Sequence, residues 1–194
     1  MSTAKQDILA AASRLFLAGG IAALSVRAIA KEAGVSTIGI YSHFSGKQGI
    51  LDMLYIEGFE LVAAAMNVDA SDLPPRDAVI KGVEGYLHMA VTHEAHYRLI
   101  FGENEERYTP SEDASAAAKS TFQHLVDRCS RLLPANARAE LAQSTALEIW
   151  AFVHGYVSLR HHAIAATMST EKWNAMATKA LTTHIDAIIA SHSK

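Results

Sequence analysis

The sequence predicts an all-α protein with a small N-terminal three-helix domain and a larger C-terminal helical domain. Apolar residues recur at helical spacing through most of the 194 residues. Serine and glycine residues stand where helix N-caps and C-caps are expected. No segment alternates apolar and polar residues for the length of a strand, and the Asn-Gly and Asp-Gly pairs of tight hairpins are absent.

The composition is that of a folded globular protein, with 50% hydrophobic and 19% charged residues. The single cysteine, Cys129, allows no intrachain disulfide, so we expect a cytoplasmic protein with a buried, unreactive thiol. The N-terminal residues lack the pattern of a secretory signal, and no apolar run is long enough to span a bilayer. We therefore expect no membrane association.

Charge is distributed unevenly along the chain. The net charge is −3, which argues against non-specific coating of nucleic acid. Residues 1–50, however, hold five basic and two acidic residues, whereas residues 51–194 hold 12 basic and 18 acidic ones. A basic N-terminal end on an acidic body is typical of a chain whose first domain meets an anion, although a small asymmetry also arises by chance.

Three helices are predicted within the first 44 residues. Ile8, Ala12, Leu15 and Phe16 share one helical face, and the Gly19-Gly20 pair ends that helix. Ser25 begins the second helix as its N-cap, and Gly34 ends it. Ser36 caps a short third helix, in which Ile38, Tyr41 and Phe44 lie three residues apart and are expected to point inward. Two short helices joined by a tight turn after a supporting helix make a helix-turn-helix.

A long helix follows directly. Ser45-x-x-Gln48 has the pattern of a capping box and predicts a helix from residue 46 to 66. We place the boundary between the two domains there, at 1–48 and 49–194. Residues 67–75, which end in Pro74-Pro75, break the helical pattern.

The rest of the chain also shows helical spacing. Apolar stripes predict a helix along residues 79–90, a short one at 97–101, an acidic surface loop at 103–113, and a helix that ends at Pro134. Two long helices, at about 138–166 and 170–191, complete the chain. The first of these is apolar on more than one face, so we expect it to be covered on several sides.

Residues 8–51 resemble the DNA-binding domain of the tetracycline-repressor (TetR) family. The resemblance rests on Ser-Val-Arg-x-Ile-Ala from Ser25, the Ala-Gly-Val-Ser turn, and Tyr-x-His-Phe followed by Lys47. Residues 149–159 are similar to a ligand-domain subgroup named for its Trp, His and Gly, here Trp150, His154 and Gly155. The resemblance implies a homodimeric, all-α repressor that binds operator DNA, with a small-molecule pocket and a dimer interface made by helices 138–166 and 170–191.

In the helix-turn-helix, Ser36, Thr37 and Gly39 stand where a recognition helix meets base edges. The family positions add candidates for phosphate contact. The complete set of proposed DNA-binding residues is Ser25, Arg27, Ser36, Thr37, Gly39, Tyr41, His43 and Lys47. Each has an ordinary alternative: the serines as plain caps, Tyr41 as a core aromatic, and His43, Lys47 and Arg27 as solvated surface residues. Since none of the residues at the base-reading end makes a bidentate base contact, we expect limited base readout, with phosphates supplying much of the affinity.

Aromatic and apolar residues of the C-terminal part are the candidates for a ligand pocket. They are Tyr86, Met89, Tyr97, Phe101, Phe122, Trp150, Val153 and His154. Such walls suit a small, mostly apolar molecule. The alternative is that each is ordinary core, with His154 hydrogen-bonded to a neighbouring helix.

Enzyme and metal functions find no support in the sequence. There is no GxSxG, HExxH or phosphate-binding glycine loop, and the ten histidines lack ligand spacing. We therefore expect no cofactor, no metal and no catalysis. The competing interpretation is a helical dimeric module that binds a small molecule or a protein and does not bind DNA.

Overall fold

The computed structural model describes residues 3–67, 73–101, 108–160, 162 and 165–192. Within these residues the chain forms nine α-helices and two short 3₁₀ turns, with no strand. The helices are α1 (Thr3–Gly19), α2 (Val26–Ala33), α3 (Thr37–His43), α4 (Gly46–Met66), α5 (Pro75–Thr92), α6 (Glu94–Ile100), α7 (Glu112–Ser130), α8 (Ala139–Arg160) and α9 (Thr170–His192). The all-α prediction is confirmed.

The chain divides into two compact units. The first comprises Met1–Leu61 and Thr92–Lys119, and the second comprises Val62–Val91 and Ser120–Lys194. The chain crosses between them within α4, at the end of α5 and within α7. No helix of the described residues is long and apolar enough to cross a bilayer.

α1 and α2 end, and α2 and α3 begin, where the sequence predicted. Ser25 has an extended backbone, and its Oγ accepts a hydrogen bond from the Ala28 amide at 3.1 Å. Gly34 ends α2 in the left-handed conformation, with φ of 68°. Ser36 caps α3 through the Gly39 amide at 3.0 Å. These local bonds satisfy amide groups that a helix cannot satisfy itself, which is why the boundaries follow from the sequence.

One apolar core holds the first unit together. It is built from α1, α2, α3, the start of α4 and part of α6, and its buried members include Ile8, Phe16, Ile29, Ile40, Phe44, Ile50, Leu54 and Leu99. Ile40, rather than Ile38, is the α3 residue that is fully buried. The prediction that Ile38 and Tyr41 point inward is therefore wrong, whereas Phe44 is buried as expected.

The segment before α7 is fastened to α4 by Asp52. Its carboxylate accepts hydrogen bonds from the Tyr108 hydroxyl, the Ser111 amide at 3.1 Å and the Gln48 side chain at 3.1 Å. Burial, with the hydrogen bond and charge of Asp52, raises the pKa of Tyr108. α7 begins at Glu112, inside the predicted 103–113 loop, of which residues 103–107 lie outside the described part of the chain.

The second unit contains the end of α4, α5, most of α7, and the two long helices α8 and α9. α5 buries Val79, Val83 and Leu87, which belong to the predicted stripe. α9 matches the predicted helix 170–191. α8 begins as predicted but ends at Arg160, short of the predicted residue 166, and Ala165–Thr167 form a 3₁₀ turn; residues 161, 163 and 164 lie outside the described part of the chain. The 68–72 part of the predicted 67–75 break also lies outside the described residues.

Candidate nucleic-acid interface

The start of α2 presents two of the predicted DNA-binding residues to solvent. Ser25 and Arg27 are both exposed. The Ser25 Oγ accepts a hydrogen bond from the Ala28 amide, so Ser25 does cap the helix. A hydroxyl that accepts one hydrogen bond still has its own hydrogen to donate, and the capping role therefore leaves Ser25 able to contact a phosphate oxygen.

The hydroxyls of α3 are unequally available. The Ser36 Oγ accepts from the Gly39 amide at 3.0 Å, and the Ser42 hydroxyl donates to the Gly39 carbonyl at 2.9 Å. Thr37 is exposed, while Gly39 is half-buried. The two serine hydroxyls are thus engaged with the backbone of the same helix.

Two apolar side chains stand out from α3. Ile38 is 79% exposed and Tyr41 is 64% exposed, and they lie three residues apart on one helical face. The prediction that Ile38 and Tyr41 point inward failed because the pairs 38–41 and 40–44 both have helical spacing, so spacing alone does not show which pair faces the core. Burial of Ile40 and Phe44 sets the rotation of the helix and turns Ile38 outward.

His43 and Lys47 border this surface, and both are half-buried. The Lys47 Nζ donates a hydrogen bond to the Ile21 backbone carbonyl at 2.8 Å. This bond joins the first turn of α4 to the 3₁₀ turn Ile21–Ala23. The sequence offered no signal for it, since the two residues are 26 positions apart.

Gly46 shapes the end of this surface. Its φ is 74°, a conformation that side-chain-bearing residues rarely adopt. A Cβ placed on Gly46 would lie 3.2 Å from the Cε1 atom of Tyr41, so the Tyr41 ring packs over the glycine. We name the surface formed by Thr37, Ile38, Tyr41, His43 and Lys47 the α3 surface.

The predicted pocket residues fall into two groups. In the second unit, the Trp150 indole Nε1 donates to the Tyr86 hydroxyl at 3.2 Å, and the Phe122 and Trp150 ring centroids are 5.7 Å apart. Met89 and Val153 are buried on α5 and α8. These elements therefore bring Tyr86, Phe122 and Trp150 together as an aromatic cluster.

Tyr97 and Phe101 belong to the other group. They fall in the first unit, where their ring centroids are 4.7 Å apart and Phe101 lies 6.3 Å from Phe59. His154 is half-buried, and its Nε2 lies 3.4 Å from the Ser158 hydroxyl one turn later on α8. This contact of His154 is thus within its own helix.

The second unit also has an open cleft of about 450 Å³ between α5 and α9. It is lined by Glu84, Leu87, Asn174, Ala175, Thr178 and Lys179, none of which the sequence singled out.

The described residues contain no group of three or more His, Cys, Asp or Glu side chains placed to hold a metal ion. Cys129 is buried as expected, and burial raises the pKa of its thiol to about 12. The thiolate, which is the nucleophilic form, is therefore scarce at neutral pH.

Fold and surface together define a helix-turn-helix protein with a second, larger helical unit. The family described as "Bacterial regulatory proteins, tetR family" matches residues 8–54, and "Tetracyclin repressor-like, C-terminal domain" matches residues 79–183. The chain belongs to the TetR family of transcriptional regulators. That membership agrees with the expectation that it is not an enzyme. The Trp-His-Gly subgroup suggested by residues 149–159 is not confirmed.

Solved structures show the same fold. A bacterial regulatory protein in the TetR family from Rhodococcus RHA1 is 20% identical, with a TM-score of 0.75 over 95% of this chain and 98% of the other. The TetR-family transcriptional regulator PfmR from Thermus thermophilus is 17% identical, with a TM-score of 0.68 over 94% and 97%. A TetR-like transcriptional regulator from Rhodococcus sp. RHA1 is 16% identical, with a TM-score of 0.66 over 94% of each chain. No curated protein matches this sequence significantly.

Proposed function

We propose that the chain is a cytoplasmic repressor that binds a pseudo-palindromic operator as a homodimer and is released by a small, mostly apolar molecule. The observation that carries the proposal is the α3 surface. α3 is the second helix of the helix-turn-helix, which in such proteins enters the major groove. Its surface presents exposed Thr37, Ile38 and Tyr41 beside His43 and Lys47.

Phosphate contacts supply much of the affinity in this proposal. The ammonium group of Lys47 has three donors, and one is directed to Ile21, so two remain for a phosphate oxygen. Ser25 and Ser36 stand at the N-caps of α2 and α3, where backbone amides and the helix dipole favour anions. Arg27 adds an exposed cation close by in the sequence. The eight predicted DNA-binding residues remain the proposed set.

Apolar surface on α8 and α9 supports the homodimer. Leu147, Leu159 and Met176 are large apolar side chains that remain exposed on these two helices. Pairing the helices with those of a second copy would remove this surface from water. Such an isologous dimer would carry two α3 helices, as a pseudo-palindromic operator with half-sites about one turn of DNA, or a multiple of it, apart requires.

The aromatic cluster of the second unit is the proposed site at which the small molecule binds. Tyr86 and Trp150 combine ring surface with one polar pair, and Met89 and Val153 add apolar lining. Tyr97, Phe101 and His154 remain in the proposed set. A ligand changes the affinity for DNA only by the difference in its affinity for the two conformations, about 1–3 kcal/mol in typical cases.

Binding selection from a randomised duplex library tests the DNA-binding part. We expect the wild type to select a pseudo-palindrome and to lose affinity steeply as salt rises. Thr37→Ala should weaken binding to the selected duplex, whereas Thr109→Ala, an exposed threonine outside the α3 surface, should not. Failure to select any duplex would favour the alternative of a helical module that binds a small molecule or a protein.

Ligand response is tested separately. A library of small apolar molecules is screened by thermal shift, and each hit is then tested for release of the selected duplex. A hit that binds the aromatic cluster should quench Trp150 fluorescence in a Trp173→Phe background. Binding that leaves this fluorescence and the DNA complex unchanged would contradict the proposed place.

A further inference from the structure

We infer that Ile38 reads thymine: its side chain contacts the C5-methyl group of a thymine in each operator half-site. The inference rests on the proposed DNA binding and concerns the sequence that is bound. It starts from an unusual pair of side chains. Among the described residues, Ile38 and Tyr41 are the two most exposed of the large apolar side chains, and both stand on one seven-residue helix.

Core packing does not explain this exposure. α3 already contributes Ile40, which is fully buried, and the following Phe44 is buried as well. Ile38 projects from the first turn of α3, directly after the cap Ser36 and the exposed Thr37. In a helix that enters a major groove, residues of the first turn lie against base edges.

The neighbouring polar groups leave apolar contact as the main chemistry of this turn. The Ser36 hydroxyl oxygen already accepts the Gly39 amide, and the Ser42 hydroxyl already donates to the Gly39 carbonyl. Within the first turn of α3 itself, Thr37 is the only residue with an exposed hydroxyl; the cap Ser36 keeps its hydroxyl hydrogen for donation, and the exposed Tyr41 hydroxyl lies one turn further along the helix. No side chain of this turn can make a bidentate contact with guanine or adenine.

The major groove presents one apolar group, the C5-methyl of thymine. Placing the Ile38 side chain against it removes apolar surface of both partners from water. Placing the same side chain against the amino group of cytosine or adenine would bury a donor without an acceptor, which is unfavourable. Contact with Ile38 therefore stabilises a complex with thymine at this position and destabilises one with cytosine or adenine.

Replacing the thymine with deoxyuridine removes only the methyl group and tests the contact directly. Burial of one methyl-sized group corresponds to about fourfold in affinity. For the wild type, substitution in both half-sites should therefore weaken binding about fifteenfold. Ile38→Ala should bind the thymine and deoxyuridine duplexes with less than about twofold difference.

Two control variants isolate the side chain responsible. Thr37→Ser removes the neighbouring methyl group, and Leu17→Ala shortens an exposed apolar side chain on α1. Leu17→Ala should keep both the affinity and the preference for thymine; Thr37→Ser, which alters a residue of the α3 surface, is expected to change the affinity but to keep the preference for thymine. Thermal melting of Ile38→Ala should match the wild type, since the side chain is exposed and outside the core.

The outcomes separate this inference from the proposed function. A wild type that selects an operator but binds its thymine and deoxyuridine forms equally overturns the role of Ile38 and leaves DNA binding standing. Loss of the preference in Thr37→Ser but not in Ile38→Ala assigns the contact to Thr37 and also overturns it. A wild type that selects no duplex overturns both proposals.

Discussion

Lys47 donates a hydrogen bond from its Nζ to the backbone carbonyl oxygen of Ile21, 2.8 Å away. The same carbonyl accepts the Leu24 amide at 3.1 Å, so the lysine adds to a bond that already closes the 3₁₀ turn. A residue predicted to contact phosphate is thus held in place by the fold. Positioning of this kind reduces the entropy that a flexible lysine loses on binding.

Lys47→Ala should therefore weaken binding to all duplexes by a similar factor. It should also lower the slope of log affinity against log salt by about one, because one phosphate contact is lost. Fluorescence anisotropy at several salt concentrations measures both quantities. The matched control is Lys172→Ala, which removes an exposed cation from α9 and should leave the slope unchanged. An unchanged slope for Lys47→Ala would show that the lysine serves the fold alone.

Alanine substitutions at two glycines of α4 should change the free energy of unfolding in opposite directions. Gly46 has φ of 74°, and a Cβ there would lie 3.2 Å from Tyr41. Gly46→Ala should lower the free energy of unfolding by about 1–2 kcal/mol, the cost of a left-handed alanine. Gly49→Ala meets only ordinary contacts, at 3.5 Å or more, and should raise it by up to about 1 kcal/mol.

Urea denaturation of both variants checks this pair. Because Gly46 supports the Tyr41 ring, Gly46→Ala should also weaken DNA binding, whereas Gly49→Ala should not. Equal stability changes of the same sign would contradict the assignment of Gly46 as the conformationally required glycine.

The boundaries of the N-terminal helices could be predicted because the interactions that set them are local. Ser25 and Ser36 each bond to an amide three residues on, and Gly34 follows directly on the helix that it ends. The rotation of α3 could not be predicted in the same way. A seven-residue helix has about two turns, so spacing alone allows either Ile38 or Ile40 to face the core, and packing decides.

Contacts between residues far apart in the sequence could not be predicted either. Lys47 and Ile21 are 26 residues apart, and Asp52 and Tyr108 are 56 apart. Neither pair has a periodic pattern that would reveal it. The eight candidate pocket residues were chosen by residue type alone, so the sequence could not show that Tyr97 belongs to one compact unit and Trp150 to the other.

Leu147 provides a test of the homodimer. It is 48% exposed on α8, a helix proposed to pair with the partner copy. Leu147→Glu would place two buried carboxylates in a symmetric interface, which is strongly unfavourable. Light scattering after size-exclusion chromatography should show the mass fall from two chains to one.

Leu17→Glu is the matched control for that experiment. Leu17 is 42% exposed on α1, outside the proposed interface, and its replacement should leave the dimer intact. A Leu147→Glu protein that remains a dimer would contradict pairing through this part of α8.

The ion pair between Arg76 and Asp186 should make the free energy of unfolding depend on pH. The Arg76 Nε and Nη2 donate to the two carboxylate oxygens of Asp186 at 2.5 and 2.9 Å, which joins α5 to α9. The hydrogen bond from Arg76 holds the pKa of Asp186 below its ordinary value of 3.8. Since the folded-state pKa is the lower one, the pair stabilises the folded state above about pH 4, and that stabilisation is lost as pH falls through the folded-state pKa.

Asp186→Asn should consequently be less stable than the wild type at pH 7, and the difference should shrink as pH falls toward about 3. Urea denaturation at intervals across this range measures it. Asp7→Asn, which replaces an exposed carboxylate on α1, controls for the loss of one negative charge. Because the side chains of Arg76 and Asp186 are 39% and 49% exposed, added salt should also reduce the difference at pH 7. A difference that stays constant across this pH range would show that the carboxylate charge of Asp186 does not stabilise the fold.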